Sequence, residues 1–193
     1  MSNKAKIIAF AGSTRRDSCN KKLVKIAAEG AREAGAEVTI IELEDYPLPL
    51  FDEDLEKSEG LPENGRKLKD LFLEHNGLLI SSPEYNSSYS GVFKNTIDWL
   101  SRPVEGYPPL ECFVDKVAVL MAASPGSLGG LRGLVHVRSL LGNIKVTVLP
   151  EQIALTSAGS AFKNDATLKD AKMHDNIKGL GKKLTKTINK LNS

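Results

Sequence analysis

The sequence has little of the features that mark several specialised classes of protein. Its 193 residues include two cysteines, Cys19 and Cys112, too few for a disulfide framework and suited to a reducing compartment. Three histidines, His75, His136 and His174, lie far apart and show no metal-ligand spacing. These shortages argue against a disulfide-stabilised secreted protein and against a metal site, and we expect no metal ligand.

Long apolar runs and an excess of charge are lacking as well. No apolar run approaches the roughly 20 residues that a membrane-spanning helix needs, and the polar start MSNKAK is unlike a signal peptide. A formal net charge of +2 is too small to indicate nucleic acid or a membrane surface as partner. We therefore expect a cytoplasmic protein with neither partner, and a hydrophobic fraction of 41% fits a single domain over residues 1–193.

Strand-like and helix-like segments alternate along the chain. Short runs of apolar and β-branched residues predict strands. These runs are residues 6–12, 37–43, 77–82, 116–124 and 144–150. Apolar residues at helical spacing predict helices at 20–35, 64–75, 91–100 and 131–142, and a last helix on which Ile177, Leu180, Leu184, Ile188 and Leu191 share one face.

The alternation predicts the fold class. Residues 45–62 contain three prolines and no apolar period, so we expect a long surface loop there. Five strands separated by helices predict a three-layer α/β fold whose parallel sheet has helices on both faces. The expected strand order is 2-1-3-4-5, which reverses direction between the first and third strands.

Polar loops follow the strands at this reversal, where ligands bind in open α/β sheets. GSTRRDSCN (12–20) follows the first strand, and PEYNSSYSG (83–91) follows the third. These are the most polar, hydroxyl-rich connections in the sequence, and the turn SPGSLGG (124–130) lies beside them after the fourth strand. We expect these three loops to form a ligand site.

The first loop has the composition of a phosphate-binding loop. Gly12 lets the backbone turn tightly, and the side chains of Ser13, Ser18 and Asn20 can donate hydrogen bonds. The following helix directs its positive end at the site, and Arg15 can add a forked contact. The alternative is that Ser18 only caps the helix.

The kind of phosphate follows from what this loop lacks. With Gly12 as its single glycine it has no G-x-G-x-x-G pattern for a dinucleotide pyrophosphate. It also lacks the G-x-x-x-x-G-K-[ST] pattern of ATP- and GTP-binding loops. A terminal monophosphate carried by a flat ring fits better, which makes FMN the candidate.

Two motifs resemble those of a known family. The pattern G-S-x-R-x-x-S-x-N matches residues 12–20, and P-E-Y-N-x-S-x-x-G-x-x-K-N-x-[IL]-D-W matches residues 83–99 in full. The chain thus resembles the NAD(P)H-dependent FMN reductases of flavodoxin-like fold, which include bacterial quinone, azo and chromate reductases. The resemblance spans residues 6 to about 155 and leaves the C-terminal forty residues without a matching motif.

The resemblance implies a set of cofactor-binding residues. The backbone of residues 83–86 would lie against the flavin ring with its amides near N5 and O4, and Ser124 would hold the pyrimidine end. No catalytic side chain is implied. The implied cofactor-binding residues are Ser13, Arg15, Ser18, Cys19, Asn20, Pro83, Glu84, Tyr85, Asn86, Ser88, Ser124, Gly126 and Gly129.

The resemblance also implies an activity. FMN would be bound tightly and non-covalently, would take hydride from NAD(P)H, and would then reduce a small-molecule electron acceptor in a ping-pong mechanism. Acceptors of such enzymes include quinones, azo compounds, chromate, ferric chelates and nitroaromatics. A homodimer or homotetramer is implied, with a neighbouring chain helping to wall the flavin pocket.

Two other functions remain open from the residues. A flavodoxin-type electron carrier shares the fold, although such carriers are shorter and strongly acidic. A low-molecular-weight phosphatase would use Cys19 as nucleophile, but its C-x-x-x-x-x-R pattern would need arginine where Lys25 stands.

Three residues of the second motif have structural alternatives. We expect Lys94 to form an intrahelical ion pair with Asp98, four residues on. Trp99 is expected in the core or at a subunit interface, and Tyr89 either in contact with substrate or in a packing role.

Overall fold

The computed structural model describes residues 4–164 and 166–192. Five parallel strands form one sheet in the order β2-β1-β3-β4-β5, which confirms the predicted topology. The strands are β1 (Lys6–Ala11), β2 (Glu37–Ile41), β3 (Gly77–Ser81), β4 (Val117–Ala123) and β5 (Thr147–Leu155). Every residue of β3 and β4 is buried, as expected for central strands covered on both faces.

Helices cover both faces of the sheet. They are α1 (Cys19–Glu33), α2 (Glu53–Glu59), α3 (Glu63–Glu74), α4 (Gly91–Ser101), α5 (Leu131–Asn143), α6 (Ala158–Ala161) and α7 (Ala171–Leu191). Successive residues of β1 point to opposite faces. Ile7 and Ala9 pack in one core with α1 and α7, whereas Ile8 and Phe10 pack in a second core with α3, α4 and α5.

Helices α1 and α7 touch through their backbones. A Cβ atom added to Gly30 would lie 2.0 Å from the Lys178 carbonyl oxygen, and one added to Gly181 would lie 1.9 Å from the Ala27 carbonyl oxygen. Only glycine permits this approach, because every other residue carries a Cβ. The C-terminal helix is therefore fixed directly against the helix that follows β1.

The prediction of a continuous surface loop over residues 45–62 was wrong. A 3-10 turn at Leu43–Asp45 leads into this segment, and α2 lies within it. Asp52 caps α2 by accepting hydrogen bonds from the amides of Asp54 (2.7 Å) and Leu55 (3.4 Å). No residue of α2 is buried, so the helix has no apolar stripe that periodicity could detect.

The predicted fifth strand, 144–150, was misplaced. The observed strand β5 begins at Thr147 and continues past Pro150 to Leu155. Proline is tolerated because β5 is an edge strand and its pairing with β4 shifts register between Ala118 and Leu120. The other predicted strands and helices agree with the structure to within one or two residues at most ends.

Candidate cofactor-binding site

The first and second loops meet where β1 and β3 end. The Gly12 amide donates to the Ser81 carbonyl oxygen (2.9 Å), so the first loop leaves the sheet still paired with β3. The Ser90 hydroxyl donates to the Gly12 carbonyl oxygen (2.6 Å) and accepts from the Phe93 amide (3.2 Å). Ser90 thus caps α4 and links the start of that helix to the first loop.

Asn20 joins the first loop to the ends of two strands. Its Oδ1 accepts from the Ser81 hydroxyl (2.8 Å) and from the Ala123 amide (2.9 Å). Its Nδ2 donates to the Ala123 carbonyl oxygen (3.0 Å), and the residue is 3% exposed. The Asn20 side chain, which was predicted to donate to a ligand, therefore uses one of its N–H bonds within the protein. It holds α1 against β3 and β4, which gives Asn20 a structural role at the site.

A cavity opens between the loops that follow β1, β3 and β4. Its volume is about 90 Å³, and it is partly open to solvent. Its lining includes all the predicted residues of the first loop and four from the other loops. The lining residues are Ser13, Arg15, Ser18, Cys19, Asn20, Pro83, Glu84, Tyr85, Ala123, Ser124 and Pro125. Ala123 and Pro125 were not predicted, although they flank Ser124 in sequence.

One end of the cavity is suited to an anion. The N-terminus of α1 opens there, and no acidic residue lies in its first turn to satisfy the free amides. Ser18 is the N-cap residue by position, but its hydroxyl makes no capping hydrogen bond. The Ser13 hydroxyl accepts from the Arg15 amide (3.3 Å), and the Arg15 side chain is exposed beside it. Hydroxyls, helix amides and a guanidinium thus converge on this end.

The second loop contains a tight turn. Tyr85 and Ser88 exchange backbone hydrogen bonds of 2.9 and 3.0 Å, and Asn86 (φ 49°) and Ser87 (φ 66°) are both left-handed between them. The Tyr85 amide is consumed in this turn, and Pro83 has no amide hydrogen. Among the described contacts of residues 83–86, the Glu84 and Asn86 N–H groups therefore remain for a ligand.

The Glu84 side chain points towards the start of α5. Its Oε1 accepts from Nε (3.0 Å) and Nη2 (2.8 Å) of Arg132, and its Oε2 accepts from the Gly133 amide (2.9 Å). Burial by itself would raise the pKa of Glu84, but the Gly133 amide and the Arg132 guanidinium outweigh burial and lower it. Glu84, a lining residue of the cavity, is therefore ionised at neutral pH, and its carboxylate faces the start of α5.

Other predicted residues shape the loops without lining the cavity. Ser88 holds its turn on α5 through a 3.0 Å contact between its hydroxyl and Nδ1 of His136. Gly126 donates from its amide to the Ser124 hydroxyl (3.2 Å). Gly129 has φ +61°, and a Cβ there would lie 2.7 Å from the Ala154 carbonyl group. Asn86 belongs to the turn and is likewise outside the lining.

Three residues of the second motif make structural contacts. Lys94 forms the expected intrahelical ion pair with Asp98. Trp99 is fully buried, and its indole N–H donates to the Pro49 carbonyl oxygen (2.8 Å), so its role is in the core. Tyr89 packs against Phe93 with ring centroids 6.1 Å apart.

The surroundings of Cys19 lack the arrangement that a phosphatase needs. The Cys19 thiol lies 3.7 Å from the Ala158 carbonyl oxygen at the start of α1. Lys25, at the position where that chemistry needs arginine, forms an ion pair with Glu42 (3.1 Å). Lys25 is also absent from the cavity lining, so Cys19 has no partner for phosphoryl transfer there.

Sequence reasoning missed Arg132 and His136, which hold the second loop from α5. Both lie almost fifty positions from their partners, so spacing gave no signal for them.

Within residues 4–164 and 166–192, no group of three or more His, Cys, Asp or Glu side chains could hold a metal ion. Over the same ranges, no helix combines the length and apolar character needed to cross a bilayer.

Comparison with known proteins agrees with the resemblance noted from the two motifs. Residues 5–160 match the family model described as NADPH-dependent FMN reductase. An NAD(P)H-dependent FMN reductase of Pseudomonas aeruginosa is 32% identical over 178 residues, covering 92% of this chain and 91% of that protein. A probable NADPH:quinone oxidoreductase 2 of rice, Oryza sativa subsp. japonica, is 35% identical over 135 residues, covering 70% of this chain and 63% of the rice protein.

A solved structure is also similar. FerB, a flavoenzyme NAD(P)H:(acceptor) oxidoreductase from Paracoccus denitrificans, superposes with a TM-score of 0.80 and 27% identity, covering 96% of this chain and 98% of FerB. The match to the rice protein spans less than two thirds of that relative's length. The family model, by contrast, covers most of this chain, including all three loops of the cavity. The chain belongs to the NADPH-dependent FMN reductase family, a family of oxidoreductase enzymes with a flavodoxin-like fold.

Proposed function

We propose that this protein is an FMN-dependent NAD(P)H oxidoreductase that reduces quinones or other small-molecule acceptors by a ping-pong mechanism. It binds FMN tightly and non-covalently in the cavity formed by the loops after β1, β3 and β4. The observation that carries this proposal is the meeting, at one cavity, of a helix N-terminus without a capping side chain and a turn with free amides. The first suits a phosphate, and the second suits the polar edge of a flat ring.

The α1 end of the cavity holds the phosphate in this proposal. A phosphate monoester is a strong hydrogen-bond acceptor with up to two negative charges, which the free amides at a helix N-terminus stabilise. Ser13 and Ser18 supply hydroxyl donors, and Arg15 supplies a matching positive charge. The first turn of α1 has no acidic residue that could compete for these donors, and the nearby Asp17 carboxylate pairs with Lys22 (3.2 Å).

The turn after β3 orients the ring. The Glu84 and Asn86 amides would bind the polar edge of the ring, Ser124 would bind its pyrimidine end, and Tyr85, which is 50% exposed, would cover part of the opening. The chemistry that FMN supplies when bound is acceptance of a hydride from NAD(P)H, followed by its delivery to an acceptor. The chain's groups bind and orient the reactants, and no side-chain acid or base is assigned.

The first test is spectroscopic and kinetic. The purified protein, loaded with FMN and freed of excess cofactor, should be yellow and should bleach when NADPH or NADH is added without oxygen. Initial rates with a quinone should give parallel double-reciprocal plots, the signature of a ping-pong mechanism. A protein that bleaches but consumes NAD(P)H only after a separate reductase is added would instead be an electron carrier.

The second test locates the cofactor. The Cys19 thiol lines the cavity and is partly accessible, whereas Cys112 is fully buried. Saturating FMN should slow alkylation of Cys19 severalfold. Riboflavin, which lacks the phosphate, should protect less well at equal concentration. Equal alkylation rates with and without bound FMN would place the cofactor outside this cavity.

The acceptor and the cellular setting belong to the same proposal. Quinones, azo compounds, chromate, ferric chelates and nitroaromatics are the candidate acceptors, to be ranked by kcat/KM on the FMN-loaded protein. We also propose a cytoplasmic location and a single domain over residues 1–193. A homodimer or homotetramer is supported by exposed apolar side chains, those of Leu131 and Val135 on α5 and of Leu128 in the turn before it.

A further inference from the structure

The start of α5 receives its cap from a different loop. Its own N-cap residue is Gly130, which has φ +94° and no capping side chain, and its first turn contains no acidic residue. The Glu84 carboxylate takes that place by accepting from the Gly133 amide (2.9 Å). A carboxylate at a helix N-terminus is stabilised by the helix dipole. The second loop is therefore joined to α5 through an acidic side chain.

Arg132 compensates the charge of this carboxylate. Its Nε and Nη2 donate to Oε1 of Glu84 at 3.0 and 2.8 Å. The two side chains differ in exposure, 59% for Arg132 and 9% for Glu84. Glu84 also lines the cavity, whereas Arg132 does not. The residue that carries the negative charge thus lines the cavity, and the more exposed Arg132 pairs with its carboxylate from outside the lining.

The same helix holds the rest of the turn. A Cβ on Gly133 would lie 3.2 Å from the Ser88 carbonyl oxygen and 3.3 Å from the Glu84 Cβ, so the turn rests directly on α5. His136 contacts the Ser88 hydroxyl one helical turn further on. The left-handed residues Asn86 and Ser87 lie between these two attachments. Since the free Glu84 and Asn86 amides belong to this turn, α5 fixes the direction in which they point.

We propose that Arg132 is a positioning residue that sets the reduction potential of bound FMN by neutralising Glu84 in the cavity wall. This inference rests on the proposed function. Two-electron reduction by hydride from NAD(P)H, which leaves as NAD(P)⁺, adds electron density to the ring. An uncompensated carboxylate nearby therefore disfavours the reduced form. Arg132 removes most of this repulsion without touching the ring.

The test compares charge-changing variants at the two positions. The dissociation constants of oxidised and reduced FMN are measured anaerobically for Arg132→Gln, Glu84→Gln and the double variant. We expect Arg132→Gln to weaken binding of reduced FMN relative to oxidised FMN about tenfold, which lowers the midpoint potential by about 30 mV for a two-electron couple. Glu84→Gln should shift the ratio in the opposite direction, and the double variant should lie near wild type.

Two further variants separate charge from structure. Arg132→Lys keeps the positive charge but loses the fork, so it should retain a ratio close to wild type. Arg138→Gln is the matched control, because Arg138 lies on the same helix but donates to the Val148 carbonyl oxygen and to Gln152. Arg138→Gln should leave the ratio of the dissociation constants of reduced and oxidised FMN unchanged. Melting temperatures of all variants report any loss of folding separately from the ratio.

The outcomes distinguish the two proposals. Shifts of the same sign in Arg132→Gln and Glu84→Gln would overturn the inference, because a geometric effect has no reason to change sign with charge. An unchanged ratio in Arg132→Gln would also overturn it, whatever the melting temperature does. In both cases the wild-type protein still binds FMN and the proposed function stands. A wild-type protein that binds no FMN removes both proposals.

Discussion

Arg15 lies at the exposed edge of the cavity, beside the free N-terminus of α1. Arg16, the next residue, is also exposed but is outside the lining. The pair separates a specific contact with the FMN phosphate from a general effect of positive charge, because the two substitutions change net charge equally. A residue-scale comparison can thus test the assignment of the phosphate end.

Arg15→Ala should weaken FMN binding about tenfold, since an exposed charge-assisted hydrogen bond contributes roughly 1 to 2 kcal/mol. Arg16→Ala should change the affinity less than twofold. Titration of FMN fluorescence with apoprotein measures both dissociation constants. Equal weakening by the two variants would show a diffuse charge effect, and no weakening in Arg15→Ala would remove Arg15 from the site.

Cys112 illustrates a titratable residue that acts on stability alone. Its thiol is fully buried and donates to the Leu100 carbonyl oxygen (3.2 Å). Burial, opposed in part by the Lys69 and Lys116 amines, raises the pKa of Cys112 from 9.0 to about 11. The thiol is neutral in both folded and unfolded chains below pH 9, so its contribution is fully present there.

Between about pH 9 and pH 11 the unfolded chain should lose the Cys112 proton while the folded chain keeps it, so stability falls. The loss should reach roughly 2 to 3 kcal/mol at the upper end of this window. Urea unfolding of wild type and Cys112→Ala at several pH values measures this loss. The difference between the two proteins isolates the Cys112 contribution, because Lys69 and Lys116 are present in both. Stability curves that remain parallel from pH 8 to 11 would contradict the prediction.

At the scale of elements, the backbone contact between α1 and α7 matters most for the site. α1 begins in the cavity and depends on α7 for its cover, while α7 lies outside the residues that match the family model. Gly30 and Gly181 allow the contact, and Gly179 lies on the same helix with nothing within 4 Å of an added Cβ. Gly181, which contacts α1, can thus be compared with Gly179, which lies on the same helix and would leave an added Cβ in open space.

Gly181→Ala should destabilise the protein by about 3 kcal/mol or more, because the new Cβ forces two helix backbones apart. Gly179→Ala should stabilise it by up to about 1 kcal/mol, as alanine favours an open helical position. Chemical denaturation followed by circular dichroism gives both values. A Gly181→Ala protein as stable as wild type would mean that α7 does not lie against α1 in the way described.

At the scale of the whole molecule, the sequence predicted the sheet well because its central strands are buried on both faces and read as apolar runs. It missed α2, which buries nothing, and misplaced β5, where an edge position tolerates Pro150. The three loops were predictable from strand order and polarity. The contacts of Glu84 with Arg132 and Gly133 were not, since they depend on how distant segments pack.

The exposed apolar side chains of α5 lead to a prediction about assembly. Leu131 and Val135 are 44% and 59% exposed on one side of the helix. If copies associate through this side, Leu131→Glu with Val135→Glu should convert the oligomer to a monomer, because buried carboxylates without partners oppose association. Light scattering after size-exclusion chromatography gives the mass, and Leu191→Glu, on α7 and 67% exposed, is the control. An unchanged mass for the double variant would place the interface elsewhere.

The direct seating of α7 on α1 has a consequence for how this molecule can be shortened. A fragment trimmed to residues 5–160, the part that matches the family model, would lack α7 and would expose the side of α1 around Ala27 and Ala31 to water. Such a fragment should aggregate. It should also bind a phosphorylated ligand more weakly, although the removed α7 does not line the cavity. The C-terminal helix without a matching motif thus supports the helix whose N-terminus opens into the cavity.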